Sequence, residues 1–185
     1  MRAVNAALVL LADHELATST GSQPVSPRRP ERPFLRRRRS RSCDGPLHVG
    51  ASRHVIELFR SAELVGPVEA IEQRLAAAEH IPGFGHSIYR KDPRFEPLMD
   101  LADRCGAPRR SLRLATAVLE AARARLTVEP NVDFALATLT DATGMDADAA
   151  QCIFLVARMA GWIAHSLEEY REPPLRFRVR GLALE

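Results

Sequence analysis

Cysteine is scarce in this chain, and its spacing excludes two common kinds of cross-linked structure. The 185 residues contain Cys43, Cys105 and Cys152, an odd number of thiols that lie far apart in the sequence. Neither a disulfide framework nor a zinc site follows from such spacing. The pattern predicts reduced thiols, no metal centre and a cytoplasmic protein.

Long apolar runs and strand-like alternation are also lacking. No apolar stretch has the length that a membrane span requires, so we expect no membrane insertion. The apolar residues 1–12 lead into Asp13 without a small-residue cleavage site, which favours a helix over a signal peptide. Because no segment alternates apolar and polar residues over the length of a strand, the sequence predicts an all-α fold.

Helical signals occur along most of the chain. Hydrophobic residues make up 46% and charged residues 26%, a composition typical of a soluble domain that can bury one core. We expect helices over Ala3–Leu16, around Val55–Phe59 with Ser52 as the cap, from Pro67, over Arg109–Leu126, from Pro130 to near Gly144, and after Asp146. On the last helix, the spacing predicts an inward-facing stripe formed by Ile153, Val156, Ala160, Ile163 and Leu167.

Residues 21–44 differ in composition from the rest of the chain. They hold eight arginines against Glu31 and Asp44, a net charge of +6 in a chain whose total is +3. Repeated prolines prevent a regular helix, and little apolar surface is available for burial. We favour a disordered segment without a selected role. A tether to nucleic acid or another anionic surface is the less favoured alternative.

Residues 82–94, PGFGHSIYRKDPR, have the composition of a ligand-binding loop. Gly83 and Gly85 let the backbone approach a ligand closely. His86 can donate a hydrogen bond to a carbonyl oxygen near neutral pH. Arg94 follows a proline and can bind a carboxylate through two parallel hydrogen bonds. Together these residues suit a small keto acid.

Six segments, this loop among them, resemble motifs of the citrate synthase family. The other five read ADHELATST, GPLHVGA, NVDF, ARMAGWIAH and RVR, and all six follow the family's order. Any one of them alone is a weak signal, whereas six in the correct order are specific. The resemblance covers the chain apart from residues 21–44.

The resemblance implies a catalytic site for the condensation of acetyl-CoA with oxaloacetate, which gives citrate and free CoA in the tricarboxylic acid cycle. In the family's mechanism a carboxylate removes a proton from the methyl group of acetyl-CoA while a donor stabilises the enolate oxygen. By resemblance Asp133 is this base, His48 is the donor and His86 polarises the ketone of oxaloacetate.

The resemblance also implies how the substrates are bound, with no tightly bound cofactor and acetyl-CoA as the co-substrate. Arginine suits the carboxylates of oxaloacetate better than lysine does. In a homodimer, one of these arginines would reach the site of the neighbouring subunit, and Arg178 is the candidate. The remaining expected contacts to oxaloacetate are His14, Arg94 and Arg158, and those to the acyl carrier are Gly83, Gly85 and Arg90.

Several alternatives stay open. The motifs do not separate this reaction from that of a 2-methylcitrate synthase, which uses propionyl-CoA. The chain could also be an inactive fragment of the family that binds only ligand or partner subunits. Taken singly, Asp133 would be read as a helix cap, His48 as a surface residue and Arg158 as the partner of a glutamate.

The resemblance further predicts how the chain is divided. Residues 1–20 would belong to the large helical domain, residues 45–141 mainly to the small domain, and residues 142–185 again to a large-domain helix and tail. Few residues precede the Asp-His-Glu motif, so we expect an incomplete large domain. Residues 21–44 keep the family's spacing without its composition, which suggests the hypothesis that this stretch was read in a shifted frame; translation of the other two frames tests it.

Overall fold

The computed structural model describes residues 2–12, 51–86, 89–106 and 108–171. Helices dominate these ranges and confirm the all-α prediction: α1 (Arg2–Leu10), α2 (Ala51–Val65), α3 (Pro67–Ala76), α4 (Phe95–Arg104), α5 (Arg109–Arg123), α6 (Val132–Ala142) and α7 (Ala149–Glu169). The β-type pairing in the described ranges is an isolated antiparallel bridge between Phe84 and Pro130. Residues 21–44 and the candidates His14, His48 and Arg178 lie outside the described residues.

Most of the predicted helix starts agree with the structure. Pro67 occupies the beginning of α3, and α5 begins directly after Pro108. The side chain of Asn131 accepts the backbone N–H of Asp133 at 3.0 Å, so Asn131 rather than Asp133 caps α6. Ser52 was predicted as a cap, but α2 begins at Ala51 and Ser52 therefore lies inside its first turn.

Helix α4 was not predicted, although its sequence carries a helical signal. Its buried side chains, Phe95, Leu98 and Ala102, recur at three- and four-residue steps. The sequence predicted a ligand-binding loop up to Arg94 and no helix directly after it. The tertiary structure packs this short amphipathic helix against α6, which buries its apolar face.

Helix α6 lies at the centre of the fold. It packs against α2, α4, α5 and α7. Almost every one of its side chains is buried, as expected for a helix that is apolar on all faces. The hydroxyls of Thr138 and Thr140 donate to the carbonyls of Phe134 and Leu136 in the preceding turn, so these buried polar groups are satisfied within the helix.

The ring of Phe134 packs the first turn of α6 into the core. It makes edge contacts with Phe59 at 5.3 Å and Phe84 at 5.4 Å between ring centroids, and a tilted contact with Phe95 at 6.2 Å. Edge-to-face arrangements of this kind are favourable beyond the area that they bury. The three partner rings come from α2, from the loop 82–94 and from α4. Phe134 therefore holds these three elements around the start of α6.

The predicted inward stripe of α7 is wrong beyond its first residue. Val156, Ile163 and Leu167 are more than half exposed. The buried face consists instead of small residues, one isoleucine and one arginine: Ala150, Ile153, Ala157, Arg158 and Gly161. Small side chains allow α1 to approach α7 closely, and the N–H of Gly161 donates to the carbonyl of Ala12 at 3.0 Å. Close backbone approach, rather than side-chain hydrophobicity, selects the inward face.

By length and composition alone, α7 also reaches the range of a membrane span, contrary to the expectation from the sequence. The window Ala149–Glu168 has a mean hydropathy of 1.2, and 28% of it is buried. Core helices of soluble proteins pass the same test. The fully buried Arg158 near the middle of α7 is a residue type that is rare in membrane spans, so the finding is weak support for insertion.

The packing around Gly83 gives a testable prediction for stability. Gly83 has a φ of +84°, and a Cβ there would lie 2.9 Å from Cβ of Phe134 and 2.9 Å from Cγ2 of Val55. Replacement by alanine adds a left-handed backbone cost of about 1–2 kcal/mol to the strain of an overpacked core. We expect Gly83→Ala to lower the free energy of unfolding by at least about 2 kcal/mol in urea titrations followed by circular dichroism.

Gly144→Ala is the matched control for this prediction. Gly144 has a φ of +66°, but a Cβ there would meet nothing within 4 Å. The control therefore carries the backbone term without the clash and should lose less stability than Gly83→Ala. Equal losses in the two variants would show that packing against Phe134 and Val55 is not what requires glycine at position 83.

Candidate active site

The loop that carries His86 is attached to the residues that precede α6. The N–H of Gly85 donates to the carbonyl of Glu129 at 2.8 Å, and the N–H of Asn131 donates to the carbonyl of Gly83 at 2.9 Å. The side-chain amide of Asn131 also donates to the carbonyl of Gly85 at 2.7 Å. These bonds flank the bridge between Phe84 and Pro130 and place the histidine loop beside the first turn of α6.

The residues predicted to line the acyl-carrier site differ in their surroundings. Gly83 is buried against the core, whereas Gly85 has a φ of +77° and more open space, since a Cβ added there would lie 3.9 Å from Cβ of Val128. Arg90 is exposed. The packing of Gly83 gives it a structural reason to be glycine, and the ligand roles of these three residues stay predictions.

A buried ion pair between Asp92 and Arg94 lies at the centre of the candidate site. Asp92 accepts from Nε and Nη2 of Arg94, each at 2.8 Å, and from the backbone N–H of Arg94 at 3.0 Å. Its Oδ2 also accepts the N–H of Val132, the first residue of α6, at 3.0 Å. The side chains of Asp92 and Arg94 are 0% and 6% exposed. One carboxylate thus fixes both the arginine and the start of α6.

The surroundings of Asp92 keep it ionised. Burial raises the pKa of Asp92, but the hydrogen bonds and positive charge of Arg94, together with the N–H of Val132, outweigh burial and hold that pKa below its usual range. The native state therefore binds this proton less readily than the unfolded chain does. It follows that Asp92 stabilises the fold at neutral pH and that this contribution disappears in acid.

His86 and Arg94 lie within hydrogen-bonding distance of each other. The N–H of Tyr89 lies 3.1 Å from Nδ1 of His86, and Nη2 of Arg94 lies 3.2 Å from Nε2. Both neighbours are donors, and a neutral ring accepts at one nitrogen only, so the tautomer of His86 decides which of the two bonds forms. The ring of Tyr89 stacks on His86 with 4.8 Å between centroids and lies 5.5 Å from Cζ of Arg94. A guanidinium and an imidazole side by side suit an oxygen-rich ligand.

Arg94 also retains donor capacity that Asp92 does not use. Its Nη1 is buried and has no hydrogen-bond partner among the residues that the structure describes. A buried donor without a partner is unfavourable unless a ligand satisfies it. Nη1 is therefore available to a carboxylate from a bound acid, and the substrate-binding role of Arg94 stays a prediction.

Asp133 lies in the first turn of α6 and is half-buried. Its Oδ1 accepts a hydrogen bond of 2.7 Å from the hydroxyl of Ser52. Its position near the positive end of the helix dipole favours the ionised carboxylate. Asp133 was predicted from the sequence as a site residue, whereas Ser52 was predicted only as a helix cap.

Asp92 was missed as well, although it stands within the segment PGFGHSIYRKDPR, two residues before Arg94. A carboxylate so near an arginine that is expected to bind substrate could have been recognised as its neutralising partner. What the sequence could not show is that the same carboxylate reaches Val132, 40 residues further along the chain.

Arg158 lies at a second location, where α7 meets α1. It is fully buried, and its Nη1 donates to the carbonyl of Ala12 at 3.3 Å. Ala12 is two residues before His14, so Arg158 contacts the segment that leads to His14, another predicted contact to oxaloacetate. The structure therefore connects His86 and Arg94, through Asp92, to the first turn of α6, which carries Asp133, and it places Arg158 beside the end of α1.

Comparison with known proteins identifies the family. The family model described as citrate synthase, C-terminal domain, matches residues 41–179. The chain belongs to the citrate synthase family. Citrate synthase 2 of Bacillus subtilis is 32% identical over 179 residues, which cover 92% of this chain and 47% of that protein. The chain thus spans about half the length of this curated relative.

Several solved structures share the fold of this chain. The citrate synthase of Thermoplasma acidophilum, in ternary complex with carboxymethyl coenzyme A and oxaloacetate, has a TM-score of 0.75 at 24% identity, over 99% of this chain and 51% of that chain. The citryl-CoA lyase of Hydrogenobacter thermophilus has a TM-score of 0.69 at 26% identity, over 91% of this chain and 68% of that chain.

The buried pair predicts a large effect of neutralising Asp92. Asp92→Asn leaves the buried guanidinium of Arg94 without a counter-charge, and loss of one partner of such a pair costs about 3 kcal/mol or more. Urea unfolding at pH 7 measures this loss. Asp100→Asn is the control, because Asp100 pairs with Arg104 at 4.0 Å on the surface and should change stability by less than about 0.5 kcal/mol.

The same variant carries a pH signature. The stabilising contribution of Asp92 is present above its unfolded pKa of about 3.9 and is lost as the pH falls through its lower native value. Stability of the native chain should therefore fall more steeply in this acid range than stability of Asp92→Asn. Parallel curves for the two proteins below about pH 5 would contradict the assigned role of Asp92.

Proposed function

We propose that this chain contributes to a citrate synthase-type condensation of acetyl-CoA with oxaloacetate, which releases citrate and free CoA. The observation that carries the proposal is the set of contacts around Asp92. These contacts connect His86 and Arg94, which are expected to bind the keto acid, to helix α6, which carries Asp133. A carboxylate base and carbonyl-directed donors are the groups that this reaction requires.

Carbon–carbon bond formation begins with Asp133. Its carboxylate removes a proton from the methyl carbon of acetyl-CoA, and the electron pair moves onto the thioester oxygen. His48 is proposed to donate a hydrogen bond to this enolate oxygen, on the basis of family resemblance alone. Removing a donor of this type typically raises the barrier by about 2.7–4 kcal/mol.

The enolate carbon then attacks the ketone of oxaloacetate. By family resemblance, His86 is proposed to polarise the ketone and, in its protonated form, to supply the proton that the new alkoxide requires. Nη1 of Arg94 is available to a substrate carboxylate. Arg158, Arg178 and His14 are proposed as the remaining contacts to oxaloacetate.

Hydrolysis completes the reaction. Water cleaves the thioester of the citryl-CoA formed by condensation, which releases the thiol of CoA and leaves citrate. Gly83, Gly85 and Arg90 are proposed to line the acyl-carrier site. We further propose that the chain forms a homodimer in which Arg178 reaches the site of the neighbouring subunit. Sedimentation velocity measures whether the dimer forms. The proposed dimer acts in the cytoplasm and serves the tricarboxylic acid cycle.

Two alternatives differ in their substrate or in their activity. A 2-methylcitrate synthase would use propionyl-CoA, whose acyl group is one carbon longer and needs more space in the acyl-binding pocket. A fragment that only binds ligand or partner subunits would give no turnover. The likeness to a citryl-CoA lyase adds cleavage of citryl-CoA as a further reaction to be measured.

Thiol release tests the proposal and its base. Purified chain is incubated with oxaloacetate and either acetyl-CoA or propionyl-CoA, and free CoA is measured with a chromogenic thiol reagent. We expect release with acetyl-CoA and a loss of at least about 100-fold in Asp133→Asn, because the amide cannot accept the methyl proton. Asp141→Asn, in the last turn of the same helix, should retain activity.

Each outcome of this assay decides a different point. Absence of thiol release from folded protein would reject the proposal that the chain is an active synthase. Release with propionyl-CoA alone would favour the 2-methylcitrate synthase reaction. Cleavage of citryl-CoA without condensation would favour the lyase. Full activity in Asp133→Asn would show that another group is the base.

A further inference from the structure

Ser52 places a hydroxyl on the inward side of α2, where the other buried side chains are apolar. Its neighbours on this side are Val55, Ile56, Phe59 and Ala62, and Ser52 is fully buried. A buried hydroxyl is unfavourable unless it makes a hydrogen bond. An alanine would pack at such a position without this requirement, so the partner of Ser52 is informative.

That partner is the carboxylate of Asp133. The hydroxyl of Ser52 donates to Oδ1 of Asp133 at 2.7 Å, across 81 residues of sequence. The length is typical of a charge-assisted bond from a hydroxyl to an ionised carboxylate. Asp133 is also held through its main chain, because its N–H donates to Asn131. Two separate elements therefore fix the side chain and the backbone of the same residue.

We infer that Ser52 is a positioning residue for Asp133, which orients its carboxylate and favours its ionised form. The inference rests on the proposed function, in which Asp133 is the base. A hydrogen bond that is donated to the charged form of a carboxyl group favours that form. The hydroxyl thus favours the deprotonated base and restricts it to one rotamer, which a reaction at a carbon acid requires.

Charged groups near Ser52 and Asp133 also act on the carboxylate of Asp133, but their effect can be separated from that of the Ser52 hydroxyl. Arg53 of α2 is exposed and pairs with Asp148 at 3.2 Å, and the partly exposed His54 pairs with Glu57 at 3.0 Å. The ionisable groups on the loop side are His86, Asp92 and Arg94. Ser52 is neutral, so its influence on Asp133 should persist in high salt, whereas that of exposed charges is screened.

Carbonyl-detected NMR tests the inference without any substrate. Side-chain carboxyl carbons of ¹³C-labelled chain are titrated with pH, and the signal of Asp133 is assigned by its absence in Asp133→Asn. In Ser52→Ala we expect the titration midpoint of Asp133 to rise by about one to two pH units, the effect of losing one bond to a charged acceptor. The midpoint of Asp141 should not move, and the shift of Asp133 should survive salt at about 1 M.

Two further variants keep the test decisive. Ser52→Cys keeps the approximate volume with a weaker donor and should give an intermediate shift, which also covers a failure of Ser52→Ala to fold. Ser52→Thr restores the hydroxyl and should return the midpoint towards that of the native chain. An unchanged Asp133 midpoint in folded Ser52→Ala or Ser52→Cys would overturn the inference.

Activity supplies an independent readout. In an active chain, removal of the hydroxyl should lower kcat and move the acid limb of the kcat–pH profile to higher pH, with little change in KM for oxaloacetate. If the chain releases no thiol but the NMR shift is observed, the proposed function fails and the Ser52–Asp133 coupling stands. If thiol is released and neither midpoint nor profile moves, the proposed function stands and the inference fails.

Discussion

The carboxylate of Asp92 is the constraint on which the candidate site depends. It is the shared acceptor for the guanidinium of Arg94 and for the first N–H of α6, and it is completely buried. Helix starts leave N–H groups without internal partners, and a carboxylate is a strong acceptor for them. A single buried charge therefore joins the loop expected to bind the keto acid to the helix expected to supply the base.

Around this charge, apolar packing and hydrogen bonds act in the same direction. Phe134 presses the first turn of α6 into a cluster of rings, while the bridge between Phe84 and Pro130 attaches the loop to the chain just before that turn. Gly83 lets the two backbones approach because any side chain would meet Phe134. Rigid support of this kind is what a site for a weak carbon acid requires, because small displacements of the reacting groups greatly reduce the rate.

The predicted and observed structures differ where local pattern and tertiary packing compete. The sequence of α7 offers a larger apolar stripe through Val156 and Ile163 and a smaller one through Ala157 and Gly161. The stripe of smaller residues is buried because it permits close contact with α1. Which stripe of α7 is buried therefore depends on the helix that packs against it. Ser52 is a similar case: its position suggested a cap, but a carboxylate 81 residues away determines its bond.

By itself the sequence determined the helical class, most helix starts, the family resemblance and the candidates His86, Arg94 and Asp133. These features depend on local signals, namely side-chain periodicity, caps, prolines and short motifs. Only the tertiary structure decided that Asp92 connects Arg94 with Val132, that Ser52 bonds Asp133 and that Arg158 meets Ala12. These contacts join residues that are 40 or more positions apart, and no local pattern encodes which distant donor meets which acceptor once the helices pack.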